Sequence, residues 1–210
     1  MTLKRSPLTK AWSVTLSMLM VMSLGVFTTV ETGCNSCTLA SKIATLDKNL
    51  PTLLSTLSGL SQNNPGAPAD VVAVLNKISQ LVGTDGKATT DALTAYNAAK
   101  AAGQTELVAL SNAVSAFSAD LTPQFLILNG IAKTVTSAQA IANKVGWAVA
   151  ILNAAVIGLS VFISDAATRP AIEQWRKVQP YIPQDTQDRV AREYGYSVVQ
   201  LDQLANRFGL

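Results

Sequence analysis

Two predominantly apolar stretches of the sequence carry no ionisable side chain: residues 11–30 and residues 145–164. Each is 20 residues long, and an α-helix of about 20 apolar residues spans the ~30 Å hydrocarbon layer of a bilayer. Both stretches are therefore long enough to cross a membrane. Charged residues make up only 14% of the chain, against about 25% in an average soluble domain. These features argue against an ordinary cytosolic protein.

The first uncharged stretch has the organisation of an export signal. Lys4, Arg5 and Lys10 precede it, its own residues are rich in Leu, Met and Val, and the composition changes at Glu31. A basic region followed by an apolar region is typical of a secretory signal. We therefore predict that residues 1–33 are a signal peptide or a signal anchor. The basic residues hold the N-terminus inside, so we expect the chain that follows to be extracytoplasmic.

The export signal ends in small residues that lead into a cysteine. Thr32, Gly33 and Cys34 resemble the lipobox of bacterial lipoproteins, whereas Glu31 occupies a position where that motif normally has Leu or another apolar residue. The resemblance implies that Cys34 is lipidated and becomes the mature N-terminus, so that its acyl chains anchor the protein in the membrane. Two alternatives stay open, namely an uncleaved signal anchor and cleavage by the ordinary signal peptidase.

Cys34 and Cys37 also form a C-x-x-C pair. A redox motif of this kind would lie in a βαβ unit, and no such pattern follows. The chain has no other cysteine and no histidine, so the pair lacks partners for a zinc site and the commonest general base is absent. No phosphate-binding loop or nucleophile elbow is present. We expect no metal, no cofactor and no enzymatic activity, and a local disulfide only if Cys34 is not lipidated.

The second uncharged stretch carries small side chains at every fourth position. They are Gly146, Ala150, Ala154 and Gly158. These residues form one stripe of a helix, which lets another helix approach closely. Trp147 near one end is typical of a membrane interface, and Asn153 would face the helix partner. We favour a transmembrane helix over residues 145–164, and the alternative is the central, fully buried helix of a bundle.

The region between the two stretches has the periodicity of α-helices. Apolar residues separated alternately by four and three positions form a seam: Leu39, Ile43, Leu46, Leu50, Leu53, Leu57 and Leu60. This seam has the heptad period. No segment shows the alternation and β-branched clusters of strands. We predict an all-α fold, a helical bundle or coiled coil, with the seam in its core or, alternatively, against a partner chain or a second copy.

Prolines and glycines predict where the helices are interrupted. Pro51 lies inside the seam and predicts a kink or a break. Residues 83–87 (Gly-Thr-Asp-Gly-Lys) predict a turn. Thr122 followed by Pro123 predicts a new helix start. From there the apolar spacing predicts helix into the second uncharged stretch, with residues 129–130 (Asn-Gly) as the candidate interruption.

The C-terminal region, residues 165–210, is more highly charged, with six basic and six acidic residues. Within it, residues 187–206 resemble a helix-turn-helix motif, with Ala191 in the first helix and Gly195 at the turn. The resemblance implies two short helices, the second of which would be the recognition helix of a DNA-binding protein. Because the region has no net charge, it offers little phosphate neutralisation. We therefore expect a structural helical hairpin and no nucleic-acid partner.

These predictions divide the chain into four parts. They are a signal peptide or anchor (1–33), an extracytoplasmic helical bundle (34–144), a transmembrane or core helix (145–164) and a charged helical hairpin (165–210). The leading hypothesis is an exported, membrane-anchored protein of the bacterial cell envelope with a structural or protein-interaction role. Its expected partners are the membrane and a helical protein or a second copy. Two alternatives are a bitopic signalling or adaptor protein with a cytoplasmic tail, and a pore-forming or membrane-remodelling bundle.

Overall fold

The structure is a computed structural model that describes residues 38–64, 66–99, 104–196 and 198–209. Within these ranges it contains helices and no strand, which confirms the predicted all-α class. We number the α-helices of these ranges in chain order: α1 Leu39–Gln62, α2 Ala69–Leu81, α3 Lys87–Ala98, α4 Gln104–Ala132, α5 Thr136–Ser160, α6 Asp165–Val178, α7 Gln184–Glu193 and α8 Val198–Arg207. A π-helical turn, Val82–Gly86, joins α2 to α3, and a 3₁₀ turn, Gln179–Tyr181, follows α6. The predicted signal region and Cys34 lie outside the described residues.

Helix α1 carries the apolar seam and continues through its proline. Pro51 lies inside the helix, so the predicted break into two helices is absent. Proline cannot donate to the carbonyl four positions earlier, which belongs to Asp47. Both residues are exposed, so water can satisfy that carbonyl. On the inner face, the seam residues from Ile43 to Leu60 are at most 5% exposed, and Leu39 at the helix start is partly buried.

Residues 83–87 do not form the predicted turn. They belong to the π-helical turn and to the start of α3, so α2, the π-helical turn and α3 are contiguous. Gly86 is buried there, and a Cβ at this position would lie 2.5 Å from Leu54 Cδ2 and 3.6 Å from Phe117 Cζ. The glycine is therefore explained by the close approach of α1 and α4 to this segment, and not by a change of chain direction.

Helices α4 and α5 follow each other as a hairpin. Helix α4 continues through Pro123, so the predicted helix start at Thr122 is wrong. The Thr122 hydroxyl instead donates to the carbonyl of Ser118 within the helix, at 2.8 Å. The helix is interrupted at residues 133–135, where the sequence has neither glycine nor proline. Residues 129–130, the candidate interruption, are still helical, and the break begins three positions after Gly130.

Helix α5 lies at the centre of the bundle. It packs against α1, α4, α6 and α7, and every residue from Ala148 to Ser160 is buried. Asn153 donates its side-chain amide to the carbonyl of Val149 at 2.9 Å. Among the described helices, α5 is the one long and apolar enough to cross a membrane, and 78% of its apolar 18-residue window is buried inside the bundle. The helix ends at Ser160, earlier than the predicted boundary at residue 164.

The C-terminal helices pack onto this central helix. Helices α6 and α7 contact α5, and α8 contacts α6 and α7. The Ser164 hydroxyl caps α6 by accepting from the backbone N–H of Ala167 at 3.2 Å. By its internal contacts Leu39–Leu210 is one compact unit. The predicted boundaries after residues 144 and 164 therefore fall inside a single packed body.

Helices α1 and α5 run antiparallel, as the contacts at their two ends establish. Gly158, near the end of α5, lies against Lys42, near the start of α1. Residues 63–64, just after α1, line a surface depression together with Ser137, near the start of α5. We call the end of the bundle at which α1 begins and α5 ends the entry end.

Candidate functional site

A buried lysine lies at the entry end. Lys42 is only 2% exposed, although lysine is almost never fully buried unless it is paired. Its Nζ donates to the backbone carbonyl of Tyr194 and lies 4.0 Å from the centroid of the Tyr196 ring. A carbonyl acceptor and an aromatic face both stabilise an ammonium group that is removed from water. The lysine is thus held by groups that follow α7.

The way in which α7 terminates leaves the Tyr194 carbonyl available to accept a hydrogen bond from Lys42. Gly195 has a φ of 67°, a left-handed conformation that glycine adopts without steric cost. Tyr196 N then donates to Ala191 O at 2.8 Å, and Gly195 N donates to Arg192 O at 3.0 Å. These two bonds form a Schellman turn. The Tyr194 carbonyl stays available for Lys42, and the negative end of the helix dipole favours the positive charge.

Two further side chains of α1 contact the end of α7. Asn49 Nδ2 donates to Glu193 Oε2 at 3.1 Å, and Thr45 Oγ1 lies 3.3 Å from the Glu193 carbonyl oxygen. Both contacts are exposed, so the buried contact of Lys42 contributes most to the stability of this attachment. Together they attach the hairpin of α7 and α8 to the first helix. We call these residues the Lys42 cluster: Lys42, Thr45, Asn49, Glu193, Tyr194 and Tyr196.

Gly158 of α5 lies beside the lysine side chain. A Cβ at Gly158 would lie 3.5 Å from Lys42 Cδ and 3.7 Å from Tyr194 Cδ1. A methyl group at this position would therefore make ordinary van der Waals contact with the apolar stem of the lysine. The predicted stripe of small residues thus reaches the Lys42 cluster at its last position.

The first position of the stripe serves a different helix. A Cβ at Gly146 would lie 2.8 Å from Phe125 Cε2 and 3.1 Å from Phe125 Cζ. The ring of α4 therefore packs directly on the backbone of α5. Ala150 and Ala154, between the two glycines, are at most 2% exposed. All four stripe residues are thus covered by this chain's own side chains.

We expect Lys42→Met to lower the free energy of unfolding by about 1.5–3 kcal/mol, the range for hydrogen bonds to charged groups. Methionine keeps the length and the apolar stem of the side chain, but it cannot donate to the Tyr194 carbonyl. Urea unfolding followed by circular dichroism measures the change. The matched control is Lys48→Met, which replaces an exposed lysine of the same helix and should leave stability within about 0.5 kcal/mol of wild type. Equal effects of the two substitutions would contradict this role of Lys42.

Tyr194 is buried beside the lysine contact. Its side chain is 1% exposed, and among the described residues no hydrogen-bond partner faces its hydroxyl. Burial, and to a smaller extent the charge of Glu193, raises the pKa of this phenol well above its ordinary value of 10.0. The folded chain therefore holds the phenolic proton more tightly than the unfolded chain does.

The pKa of Tyr194 predicts how stability depends on pH. Its contribution is fully present below the unfolded pKa near 10.0 and is lost as the pH rises above that value, by up to about 1.4 kcal/mol per pH unit. Tyr194→Phe should remove this loss, and should be neutral or stabilising at neutral pH because the hydroxyl has no hydrogen bond to lose. Urea titrations of both proteins between about pH 8 and pH 11 measure the difference. Parallel stability curves in that interval would disprove the assignment.

A second polar cluster joins α4 to α6. Gln174 Nε2 donates to Ser118 Oγ at 3.1 Å and to Thr122 Oγ1 at 3.2 Å. The ranges that the structure describes contain no group of three or more His, Cys, Asp or Glu side chains that could hold a metal ion. Both polar clusters join helices of the bundle to each other.

The structure places the predicted seam inside the bundle. Helix α1 packs against α2 and α5, and Leu46 and Leu53 are 0% exposed. In this arrangement the seam is covered by the chain itself. Lipidation at Cys34 is a prediction that lies outside the described residues.

The region that resembles a helix-turn-helix forms two short helices, α7 and α8, around Gly195. Val190 and Leu201 face inward, with at most 3% exposure. On the outer side, Arg207 of α8 is paired with Asp165 of α6 at 3.0 Å. The exposed side of α8 therefore carries a compensated charge at this position.

Sequence reasoning missed the Lys42 cluster. Lys42 lies three positions after Leu39 and four before Leu46, which places it on the buried face of α1. That spacing was the one available signal, because a lysine on an apolar helix face needs a partner. The partner itself could not be found locally, since it lies 152 positions away.

Comparison with known proteins does not assign a function to these clusters. No protein-family model matches the chain. Among the curated proteins and the solved structures, none is significantly similar to it.

Proposed function

We propose that the chain is an exported protein anchored to a membrane of the bacterial cell envelope through its N-terminal region. Its helical bundle has a structural or protein-interaction role on the extracytoplasmic side, without enzymatic activity. The observation that carries this proposal is where the bundle begins. The compact unit starts at Leu39, five residues after Cys34. A lipidated mature chain would thus pass from its anchor into its bundle through a very short tether.

The contacts of the bundle support its placement on one side of the membrane. If α5 crossed the membrane, α1 would lie outside and α7 inside. Lys42 of α1 and Tyr194 after α7 are instead in contact, and the apolar surface of α5 is covered by helices on either side of it in the sequence. These contacts favour the core-helix alternative for residues 145–164 over the transmembrane one.

Metabolic labelling tests the anchor. Wild type, Cys34→Ala and Cys37→Ala are expressed in bacteria that are supplied with an alkyne fatty acid, and the incorporated label is measured on gels. Cys37→Ala is the matched control, because it removes the neighbouring thiol and leaves the lipobox-like residues in place. We expect label in wild type and in Cys37→Ala, and none in Cys34→Ala. Equal labelling of all three proteins would exclude lipidation at Cys34.

A reporter fused after Leu210 tests the side on which the bundle lies. An alkaline phosphatase fusion is active only in the periplasm, and a green fluorescent protein fusion is fluorescent mainly in the cytoplasm. We expect activity of the first fusion alone. A fluorescent second fusion, with an inactive first, would place the C-terminus in the cytoplasm and contradict the proposal.

A second candidate function, membrane insertion as a pore, is favoured by one observation. The apolar helix α5 is long enough to cross a bilayer and is enclosed by the surrounding helices, so its release would expose a membrane-spanning segment. Dye-loaded liposomes test this function directly. Release of dye at rising concentrations of the purified mature protein would support it, and intact liposomes at all concentrations would exclude it.

A further inference from the structure

The entry end presents apolar side chains to solvent. Val161 and Phe162 are 41% and 37% exposed, respectively, and Ile163 beside them is partly buried. These residues form the turn that directly follows α5 at its entry-end terminus. We call them the apolar loop. The other large apolar side chains exposed in the described ranges, Val72, Ile127 and Tyr181, lie singly on three different elements.

A shallow groove lies at the same end. Its lining comes from the first turns of α1 and the end of α3: Leu39, Ala40, Ile43, Ala44, Asp47, Tyr96 and Asn97. Most of these side chains are apolar. Two separate apolar features of the bundle surface thus lie at the end where the described chain begins.

The charges beside the apolar loop compensate each other. Asp165, the first residue of α6, is paired with Arg207 at 3.0 Å, and both side chains are more than 60% exposed. An apolar turn next to a neutral ion pair is not suited to attract a charged macromolecule. It is suited to the boundary between lipid headgroups and acyl chains, where apolar side chains are removed from water.

The length of the chain before α1 limits where a membrane can lie. From Cys34 to Leu39 the chain advances five residues, which span at most about 17 Å. Helix α5 has 25 residues and is about 37 Å long, so the tether cannot reach past the bundle to its opposite end. The anchor also keeps the entry end at high effective concentration near the bilayer, so a small apolar patch suffices for contact.

We propose that the entry end rests on the bilayer to which the chain is anchored, with the apolar loop inserted at the lipid surface. This inference depends on the membrane anchor of the proposed function. It adds an orientation: the helices of the bundle stand away from the membrane, with Phe162 at the lipid boundary and the residues near the start of α5 farthest from it.

Fluorescence quenching by brominated lipid tests this orientation. Full-length protein carrying F162W is reconstituted into phosphatidylcholine vesicles with and without bromine on the acyl chains, and the wild-type emission is subtracted. The matched control is I127W, because Ile127 is also exposed, at 48%, but lies far from the entry end. It is two residues after Phe125, which packs against Gly146 in the half of α5 remote from that end. We expect loss of most of the emission added by F162W and little loss of that added by I127W.

Flotation of the same samples with the vesicles separates the two proposals. Protein that floats while F162W and I127W are quenched equally, or not at all, overturns the orientation and leaves the anchor standing. Protein that does not float overturns the anchor and the membrane contact together. Circular dichroism verifies that each variant is as helical as wild type. V161W, at the neighbouring exposed position, is an independent probe that should be quenched like F162W.

Discussion

Leu53→Ala should lower the free energy of unfolding by about 2–5 kcal/mol, as expected for loss of a fully buried leucine. Leu53 lies in the middle of the seam and is 0% exposed. Its removal leaves a cavity between α1 and the helices it covers, α2 and α5. Urea unfolding at several protein concentrations measures the loss, and we expect the same value at each concentration because the seam is buried within one chain.

The control for this substitution is Val72→Ala, at a position of α2 that is 37% exposed. Its effect should stay within about 0.5 kcal/mol. The alternative role of the seam, as a binding surface for a second copy, predicts a different result. In that case Leu53→Ala would leave the stability of the monomer unchanged and would shift the sedimentation of the protein from dimer to monomer.

Gly146→Leu should destabilise the fold by about 3 kcal/mol or more, at or beyond the upper end of the range for overpacked cores. A Cβ alone would lie 2.8 Å from Phe125 Cε2, and the rest of a leucine side chain has to displace the ring. Phe125 is itself 1% exposed, so its neighbours would have to move as well. Thermal and urea unfolding followed by circular dichroism measure the loss.

Two other glycines serve as controls for Gly146. A Cβ at Gly130, inside α4, would meet no atom within 4 Å, so Gly130→Ala should stabilise the helix by about 0.5–1 kcal/mol. At Gly158 the nearest contact of a Cβ is 3.5 Å, an ordinary distance, so Gly158→Ala should be nearly neutral. A loss at Gly158→Ala as large as that at Gly146→Leu would contradict the ordinary contact distance at Gly158.

The helical class and the buried faces could be predicted from the sequence, because they depend on local periodicity. The seam from Ile43 to Leu60 is buried as one face of one helix, as its heptad spacing predicts. The sequence of the second uncharged stretch fits two alternatives, since a core helix and a transmembrane helix share the same composition. Only the packing of other helices around α5 distinguishes a buried helix from a lipid-facing one.

The helix boundaries were less predictable, because proline and glycine act through their surroundings. Pro51 and Pro123 both lie on exposed positions, where the carbonyl that loses its partner can bind water, so neither ends its helix. Leu54 of α1 lies so close to Gly86 that a Cβ there would clash with it. This contact cannot be predicted from the residues that neighbour Gly86 in the sequence. The interruption at residues 133–135 has no glycine or proline, and the two helices that it separates, α4 and α5, pack against each other.

The contact between Lys42 and Tyr194 has a consequence for the order in which the protein can assemble. The two residues are 152 positions apart, so α1 acquires its buried partner only after nearly the whole chain has been made. If the chain is exported from its N-terminus, the apolar faces of α1 and α5 would stay partly exposed until α7 packs against them. A product truncated before Tyr194 could not complete the bundle, and its exposed apolar surface would mark it for degradation. The C-terminal helices are therefore required before the chain can form a stable bundle.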